Sequence, residues 1–265
     1  MIGYVDAHIH LQDARYSGLE KQVIDRAKKH GVKRFFCNGT RESDWPAVLD
    51  LAAKYPEVVP FIGIHPWYAN TVKTGWVERL RQFILLHGCG IGETGLDRLS
   101  PVSLKQQEDV FLVQLEMACT HNCPLVIHCV RMWGRLLEIL EEYAEAAKAP
   151  PLMLHSFSGT TEVMMRLARI GAFFSYSCAL PAPGRDKMRQ VFAKTPLDQL
   201  LLETDSPDQC YGYQGEKFSA SCNEPMNIIR LYKKAAQLRN MELEQFTGIV
   251  WYNGSVFTHQ NTVGK

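Results

Sequence analysis

The sequence carries almost no net charge: 29 Lys and Arg stand against 28 Asp and Glu, leaving +1 over 265 residues. A protein that grips duplex nucleic acid through an extended basic face shows a clear excess of Lys and Arg. That class is excluded, and any nucleic-acid substrate has to be held locally. Cysteine pairing is also missing. Eight cysteines lie at 37, 89, 119, 123, 129, 178, 210 and 222, with no Cys-x-x-Cys among them. Cys37, Cys89 and Cys178 sit in apolar runs and read as small core residues, so a reducing, cytoplasmic setting is expected. No run approaches 18 apolar residues, so no membrane span is expected. No charged-then-apolar leader precedes Tyr4–Val5, so no signal peptide is expected. No Walker loop is present, and the one Gly-x-Gly-x-x-Gly, Gly90–Gly95, falls on the fourth strand-like run and not in a loop after an early strand, which argues against an open dinucleotide- or nucleotide-binding sheet.

What is present is a repeated coincidence. Five short apolar runs each end on a metal-binding residue: Tyr4–Val5 before Asp6-Ala7-His8-Ile9-His10, Cys89–Gly92 before Glu93, Pro124–Ile127 before His128, Leu152–Leu154 before His155, and Leu200–Leu202 before Glu203-Thr204-Asp205. Strand side chains alternate faces, so His8 and His10 point the same way and can grip one ion. Imidazole suits zinc and similar metals, while carboxylate also suits magnesium and manganese. His8, His10, Glu93, His128, His155 and Asp205 are too many for one tetrahedral ion with an open position. They are about right for two divalent ions (Zn, Mg or Mn) sharing a bridging carboxylate.

Strand-like and helix-like stretches alternate along the chain. Helices are expected over 18–30, 43–54, 76–87, 104–121, 132–147, 223–239 and 243–252, and strands over 32–37, 58–64 and 172–177 besides the five ligand-bearing runs. In the long 104–121 helix, Leu104, Phe111, Leu115 and Ala118 fall at helical spacing. Eight βα units in a chain close to the ~250 residues typical of one barrel predict an α/β fold, a (β/α)₈ TIM barrel with residues 1–265 as a single domain. A closed barrel gathers the ends of strands one, four, five, six and eight; an open sheet spreads them. With 46% hydrophobic and 22% charged residues, composition allows a full core.

The motifs resemble those of the TatD family of metal-dependent DNases: Asp6-x-His8-x-His10-Leu11, Gly63-Ile64-His65-Pro66, Gly92-Glu93-Thr94-Gly95-Leu96-Asp97, Ile127-His128, His155-Ser156-Phe157-Ser158-Gly159 and Glu203-Thr204-Asp205-Ser206-Pro207. Asn223-Glu224-Pro225, Asn253 and the helix carrying Gln107–Phe111 fit the same pattern. The resemblance implies an amidohydrolase-like (metallo-dependent hydrolase) barrel, divalent metal, and phosphodiester hydrolysis, often exonucleolytic. It also implies His8, His10, Glu93, His128, His155 and Asp205 as ligands. Two positions depart from the family. Val130 stands where an Arg usually follows the strand-five His, with Arg131 next, and Arg98 stands where Tyr often follows Gly-Leu-Asp.

The expected function is therefore a metal-dependent hydrolase of phosphate esters, most simply a TatD-type deoxyribonuclease acting on DNA or a small phosphate ester. No obligate protein partner is implied. Asp205 is the catalytic candidate, as metal ligand and proton acceptor for the attacking water, with an N-cap role as its alternative. Glu93 has a helix-cap alternative, against which the flanking Gly92 and Gly95 argue for close approach of backbone to a site, and His128 and His155 could each be core histidines. Glu203 reads as a residue behind the ligands. His65 contacts phosphate or packs the barrel mouth, and Arg131 is a phosphate-contact candidate. Trp67, Trp133, Phe157 and Tyr211 are candidate stacking faces for a base. Hydrolysis of a carboxylic ester, lactone or amide on the same site is the rival chemistry, and a non-enzymatic metal-binding scaffold is the rival of another class.

Overall fold

A computed structural model describes residues 2–146, 149–209 and 223–259. Eight parallel strands, β1 Tyr4–Ile9, β2 Val32–Asn38, β3 Val58–Ile62, β4 Gly90–Asp97, β5 Leu125–Val130, β6 Leu152–Leu154, β7 Phe173–Tyr176 and β8 Leu200–Leu202, pair in sequence order. The sheet closes on itself beyond β8. The Asp205 N–H donates to His8 O at 3.0 Å and the His10 N–H to Ser206 O at 2.9 Å. A side chain reinforces the seam: the buried Asp6 carboxyl group accepts from the Thr204 N–H at 2.8 Å and the Thr204 hydroxyl at 2.6 Å. These bonds set Asp205 beside His8 and His10, residues some two hundred positions away in sequence.

The helices are α1 Glu20–Lys29, α2 Trp45–Lys54, α3 Trp76–His87, α4 Leu104–His121, α5 Trp133–Glu145, α6 Thr161–Arg169, α7 Asp186–Lys194, α8 Ile228–Leu238 and α9 Leu243–Phe257. The bounds of α4 are the expected ones because both ends are chemically marked. Ser103 caps the Gln106 N–H at the start, and Asn122 takes a left-handed conformation at the end. Its expected apolar face holds for Phe111, Leu115 and Ala118, but Leu104, in the first turn, is 39% exposed. α6 and α7 stand beyond the seven expected helices. Both are nine-residue helices between Gly- and Pro-bearing loops, and α6 carries legible signals in the Thr160 cap on Val163 and in Met164 and Leu167 at helical spacing on its buried face. α9 runs five residues past its expected end. Those residues carry Phe257, which packs among Phe36, Phe61 and Phe173 of three strands and closes the barrel end opposite the ligands. Asn253 ties α9 to the β8 region by donating to Leu197 O and Leu200 O at 2.7 and 2.8 Å.

The core lies between strands and helices and inside the barrel, with Val5, Phe35, Ile62, Ile91, Val126, Met153, Phe174 and Leu201 all fully buried. Each such side chain contributes about 1.5–3 kcal/mol against an exposed reference. Among the described residues no helix is long and apolar enough to cross a membrane.

Candidate metal centre

The six expected ligands meet in one cluster at the C-terminal face of the barrel. Period-two alternation in β1 turns Asp6 and His8 inward, and His10 follows where the chain leaves the strand. Around one end of Glu93, His8 Nε2 lies 3.2 Å from His10 Nε2. Glu93 Oε2 is 3.3 Å from His8 Nε2 and 3.5 Å from His10 Nε2. Asp205 Oδ1 is 3.7 and 3.6 Å from the same two nitrogens. Donors held 2.0–2.2 Å from one ion at the corners of a tetrahedron are about 3.3–3.6 Å apart. Five of the six edges of this donor set are thus at or near the lengths a bound cation requires. The other Glu93 oxygen, Oε1, faces a second group: His128 Nδ1 at 2.9 Å, His155 Nε2 at 2.8 Å and His65 Nε2 at 3.4 Å.

The far nitrogens of the imidazoles decide which lone pairs face inward. His10 Nδ1 is 2.8 Å from Asn38 O and can only donate there, which leaves Nε2 as an acceptor aimed into the cluster. His128 Nε2 faces the Asp97 carboxylate at 3.2 Å, leaving Nδ1 to the cluster. His155 Nδ1 faces the fully buried Glu203 at 3.5 Å. That spacing is long for a hydrogen bond but is a charge pair, and Glu203 is also held by the Ser175 hydroxyl. Anchoring the distal nitrogen of a ligating histidine on a carboxylate or carbonyl is the usual support of a metal site. Imidazole lone pairs and two carboxylates converging in a buried space repel one another unless a cation or protons join them. The residues present therefore fit divalent metal.

His65 differs from the others. Its Nδ1 accepts the Trp67 N–H at 3.2 Å, and burial pushes its pKa down to about 4. A neutral His65 therefore carries its proton on Nε2 and presents a donor, not a lone pair, to Glu93. Geometry alone groups His65 with Glu93 and His128 as possible ligands; the tautomer argues against it.

Without metal, the charges arrange themselves accordingly. Burial opposes the charge on Glu93, but the histidines around it, His155 and His65 foremost, hold it well below the usual carboxylate range. Asp205 is lowered against the same desolvation by its contact with His10. Burial likewise works against charge on His10, yet Asp205 and Glu93 lift it to about 9. His128 and His155 are raised against desolvation, the first by Asp97 and Glu93, the second by Glu93 and Glu203. His8, fully buried, is lowered by desolvation.

A cavity of about 670 Å³ opens onto this cluster, lined by His10, His65, Trp67, Glu93, His128, His155 and Asp205 among others. Of the two substrate-contact candidates, His65 is on this wall. Arg131 is exposed just past β5 and does not line it. Among the stacking candidates, Phe157 is buried against Trp133 and Phe174, Trp67 is 47% exposed on the cavity, and Tyr211 lies outside the described residues. Backbone strain gathers at the strand ends here, with non-glycine residues Arg131, Ser156 and Asp205 at positive φ.

Two residues at the site carried no role in the sequence reading. Asp97 ends β4 and joins His128 to the Trp67 indole N–H, which it accepts at 2.6 Å. Gln209 donates to Asp205 Oδ2 at 2.6 Å. Asp97 was reachable, four residues after Glu93 and inside a quoted motif; Gln209, in an irregular loop, gave no signal. The glycines flanking Glu93 were expected to let backbone approach the site. At Gly95 the approach is to a site residue's own backbone, where a Cβ would lie 2.0 Å from His128 O; Gly92 serves strand contact, where a Cβ would lie 2.7 Å from Val126 Cβ.

The comparisons with known proteins agree with this geometry. The family model described as TatD related DNase matches residues 5–258. An Escherichia coli K12 protein described as the uncharacterized metal-dependent hydrolase YjjV is 27% identical over 241 residues, covering 89% of this chain and 90% of its own. The crystal structure of that TatD homologue superposes with a TM-score of 0.88 at 26% identity, covering 97% of this chain and 98% of the other. A protein of Escherichia fergusonii named 3'-5' ssDNA/RNA exonuclease TatD is 28% identical over 241 residues, 88% of this chain and 90% of its own. With a match that runs from β1 through α9 and takes in every residue of the cluster, the chain belongs to the TatD related DNase family and is a metal-dependent hydrolase.

Proposed function

We propose that the chain hydrolyses phosphodiester bonds of single-stranded nucleic acid, using two divalent ions bridged by Glu93. The observation that carries this reading is the division of the cluster by Glu93, with Oε2 toward His8 and His10 and Oε1 toward His128 and His155. One carboxylate presents its two oxygens to two donor sets, which meet at His155, also within reach of His8 and Asp205. His8, His10 and Asp205 would hold one ion, and His128 and His155 the other. When bound, the ions supply Lewis acidity that acidifies water and neutralises phosphoryl charge. The exonuclease named among the relatives supports the choice of nucleic acid.

The chain's own residues supply the rest. Asp205 is ionised at neutral pH and accepts the proton of the attacking water on a carboxylate oxygen. Gln209, bonded to Oδ2, fixes the carboxylate's orientation. His65 Nε2–H is a neutral donor at the cavity wall and bonds a phosphate oxygen without repelling the ions. Asp97, Glu203 and Asn38 keep His128, His155 and His10 in the tautomers that face inward.

The test is metal-reconstituted protein assayed in parallel on single-stranded DNA, RNA, a phosphomonoester and a panel of esters and lactones. The expected result is release of mononucleotides from single-stranded ends with little turnover of the carbon esters. Preferential hydrolysis of a lactone, ester or amide would overturn the reading, since the same donors serve tetrahedral carbon.

A further inference from the structure

We propose that the wall of the cavity formed by Arg41, Tyr68 and Trp67 is a nucleotide subsite. In it the Arg41 guanidinium takes a phosphate further along the strand than the one at the cluster, and the Trp67 indole takes a base. This subsite rests on the phosphodiesterase reading of the same cavity.

Two arginines line the cavity, and their states differ. Arg15 is forked onto Asp13 and Asp208, with contacts of 2.8 to 3.0 Å that occupy its donors on carboxylates. Arg41 is exposed, and its guanidinium has no carboxylate partner among the described residues; it lies 4.9 Å over the Tyr68 ring. The adjacent acid, Glu42, is engaged by Arg79 at 2.9 Å. Nor does Asp44 meet the guanidinium: its carboxylate accepts the Thr40 and Arg41 backbone N–H groups and so pins the loop that carries Arg41. A guanidinium laid on an aromatic face and based on a fixed loop keeps its fork of donors free and preorganised, the form suited to phosphate.

Trp67 supplies the second element. It is 47% exposed, yet its indole N–H is held by Asp97 Oδ2 at 2.6 Å. The ring edge is anchored and a face is left open. A half-exposed tryptophan fixed at the rim of a metal cavity offers a stacking surface that any base can use. Cation, aromatic side chain and metal cluster thus line one cavity, the groups that two phosphates and a base of one nucleic-acid strand require. The near-zero net charge fits this local grip.

The experiment measures binding of a phosphorothioate decathymidylate, which keeps its charge and resists cleavage, to metal-loaded protein over about 50–200 mM salt. Wild-type protein is expected to bind with a negative slope of log affinity against log salt. Arg41→Ala should lessen that slope by about 0.7, the contribution of one phosphate contact on a single strand, and weaken binding about tenfold. Arg41→Lys should restore the slope in part. Trp67→Ala should weaken binding about five- to tenfold with the slope unchanged, and Trp67→Phe, which keeps a stacking face but loses the N–H, should recover most of the loss. Both side chains are exposed enough for the variants to fold, which melting curves check. Wild-type binding with an unaltered slope in Arg41→Ala and unaltered affinity in Trp67→Ala would overturn the subsite alone. Wild-type protein that neither binds nor cleaves single-stranded DNA would overturn the phosphodiesterase reading, and the subsite with it.

Discussion

At the scale of single residues, Glu93 and Asp205 separate metal binding from proton transfer. Glu93→Gln keeps the shape of the side chain but removes the charge shared between two donor sets. Metal content per chain is expected to fall by about one ion, while His8, His10 and Asp205 retain the other; unchanged metal content by elemental analysis would exclude a bridge. Asp205→Asn keeps the size of the side chain and one oxygen for the ion, but it puts an amide NH2 where Oδ2 accepts from Gln209 and removes the proton acceptor. Turnover by the metal-loaded protein is expected to fall at least about 10²-fold, the low end for loss of a general base. The melting temperature should move by less than about 4 °C, the equivalent of about 1 kcal/mol in a chain of this size. A large melting shift with intact single-turnover rate would make Asp205 a structural residue. What sequence could say at this scale followed from chemistry tied to position. His8 and His10 announce themselves through strand alternation, and His128, His155 and Asp205 through apolar runs that stop at a ligand. Asp97 lay within reach of its motif, but Gln209 and the tautomer of His65 depend on which groups come near in space, and no local pattern encodes that.

Elements place these residues, and the tightest constraint is the contact between β4 and β5. Gly95 has φ of +142° and sits where a Cβ would fall 2.0 Å from the His128 carbonyl oxygen. The obstacle is backbone, which cannot rotate away, and moving it moves a metal ligand. Gly95→Ala is expected to destabilise the protein by at least about 3 kcal/mol, above the 1–2 kcal/mol that a left-handed alanine costs through its own backbone, and to lower metal content as well. Gly88→Ala is the control. Gly88 also has positive φ, +61°, but nothing lies within 4 Å of its Cβ position, so only the conformational cost of about 1–2 kcal/mol applies. Chemical denaturation of both variants checks the difference; equal losses would mean that strand proximity contributes nothing. The same comparison explains what was legible among elements. Strands and long capped helices such as α4 carry their own signals. The close approach at Gly92 and Gly95 is legible, but sequence does not show that Val126 lies beside the first and the His128 backbone beside the second.

For the whole molecule, metal and protons compete for one cluster that also closes the barrel, so stability, pH and metal loading are linked. In the metal-free protein the folded pKa of His10 is raised to about 9, and those of His128 and His155 are also raised. Groups whose pKa rises on folding stabilise the fold below their unfolded value, about 6.5 for histidine, and that contribution is lost as pH rises through the folded value. Asp6, which burial pushes up to about 8, acts in the same direction: its contribution is lost between its unfolded value near 3.9 and 8. Glu93 and Asp205 are shifted down, so their contribution is fully present above about pH 4.5 and does not change in this window. His8 and His65, also shifted down, contribute above 6.5 and are likewise constant there. Metal-free stability is therefore expected to decline from about pH 6.5 to 9. Metal needs the same imidazoles unprotonated, so over the same range each pH unit strengthens binding by releasing protons, and a ligand that binds only the folded chain adds stability in proportion to the logarithm of its binding. The two curves should diverge: at constant free metal, the difference in melting temperature between loaded and metal-free protein should widen steadily from pH 6.5 to 9. Melting curves across that range with and without chelator measure it directly. A difference that stayed flat or narrowed would mean that the histidines of the cluster are not protonated in the metal-free fold, and that the Glu93 and Asp205 carboxylates are held together by something other than imidazolium charge.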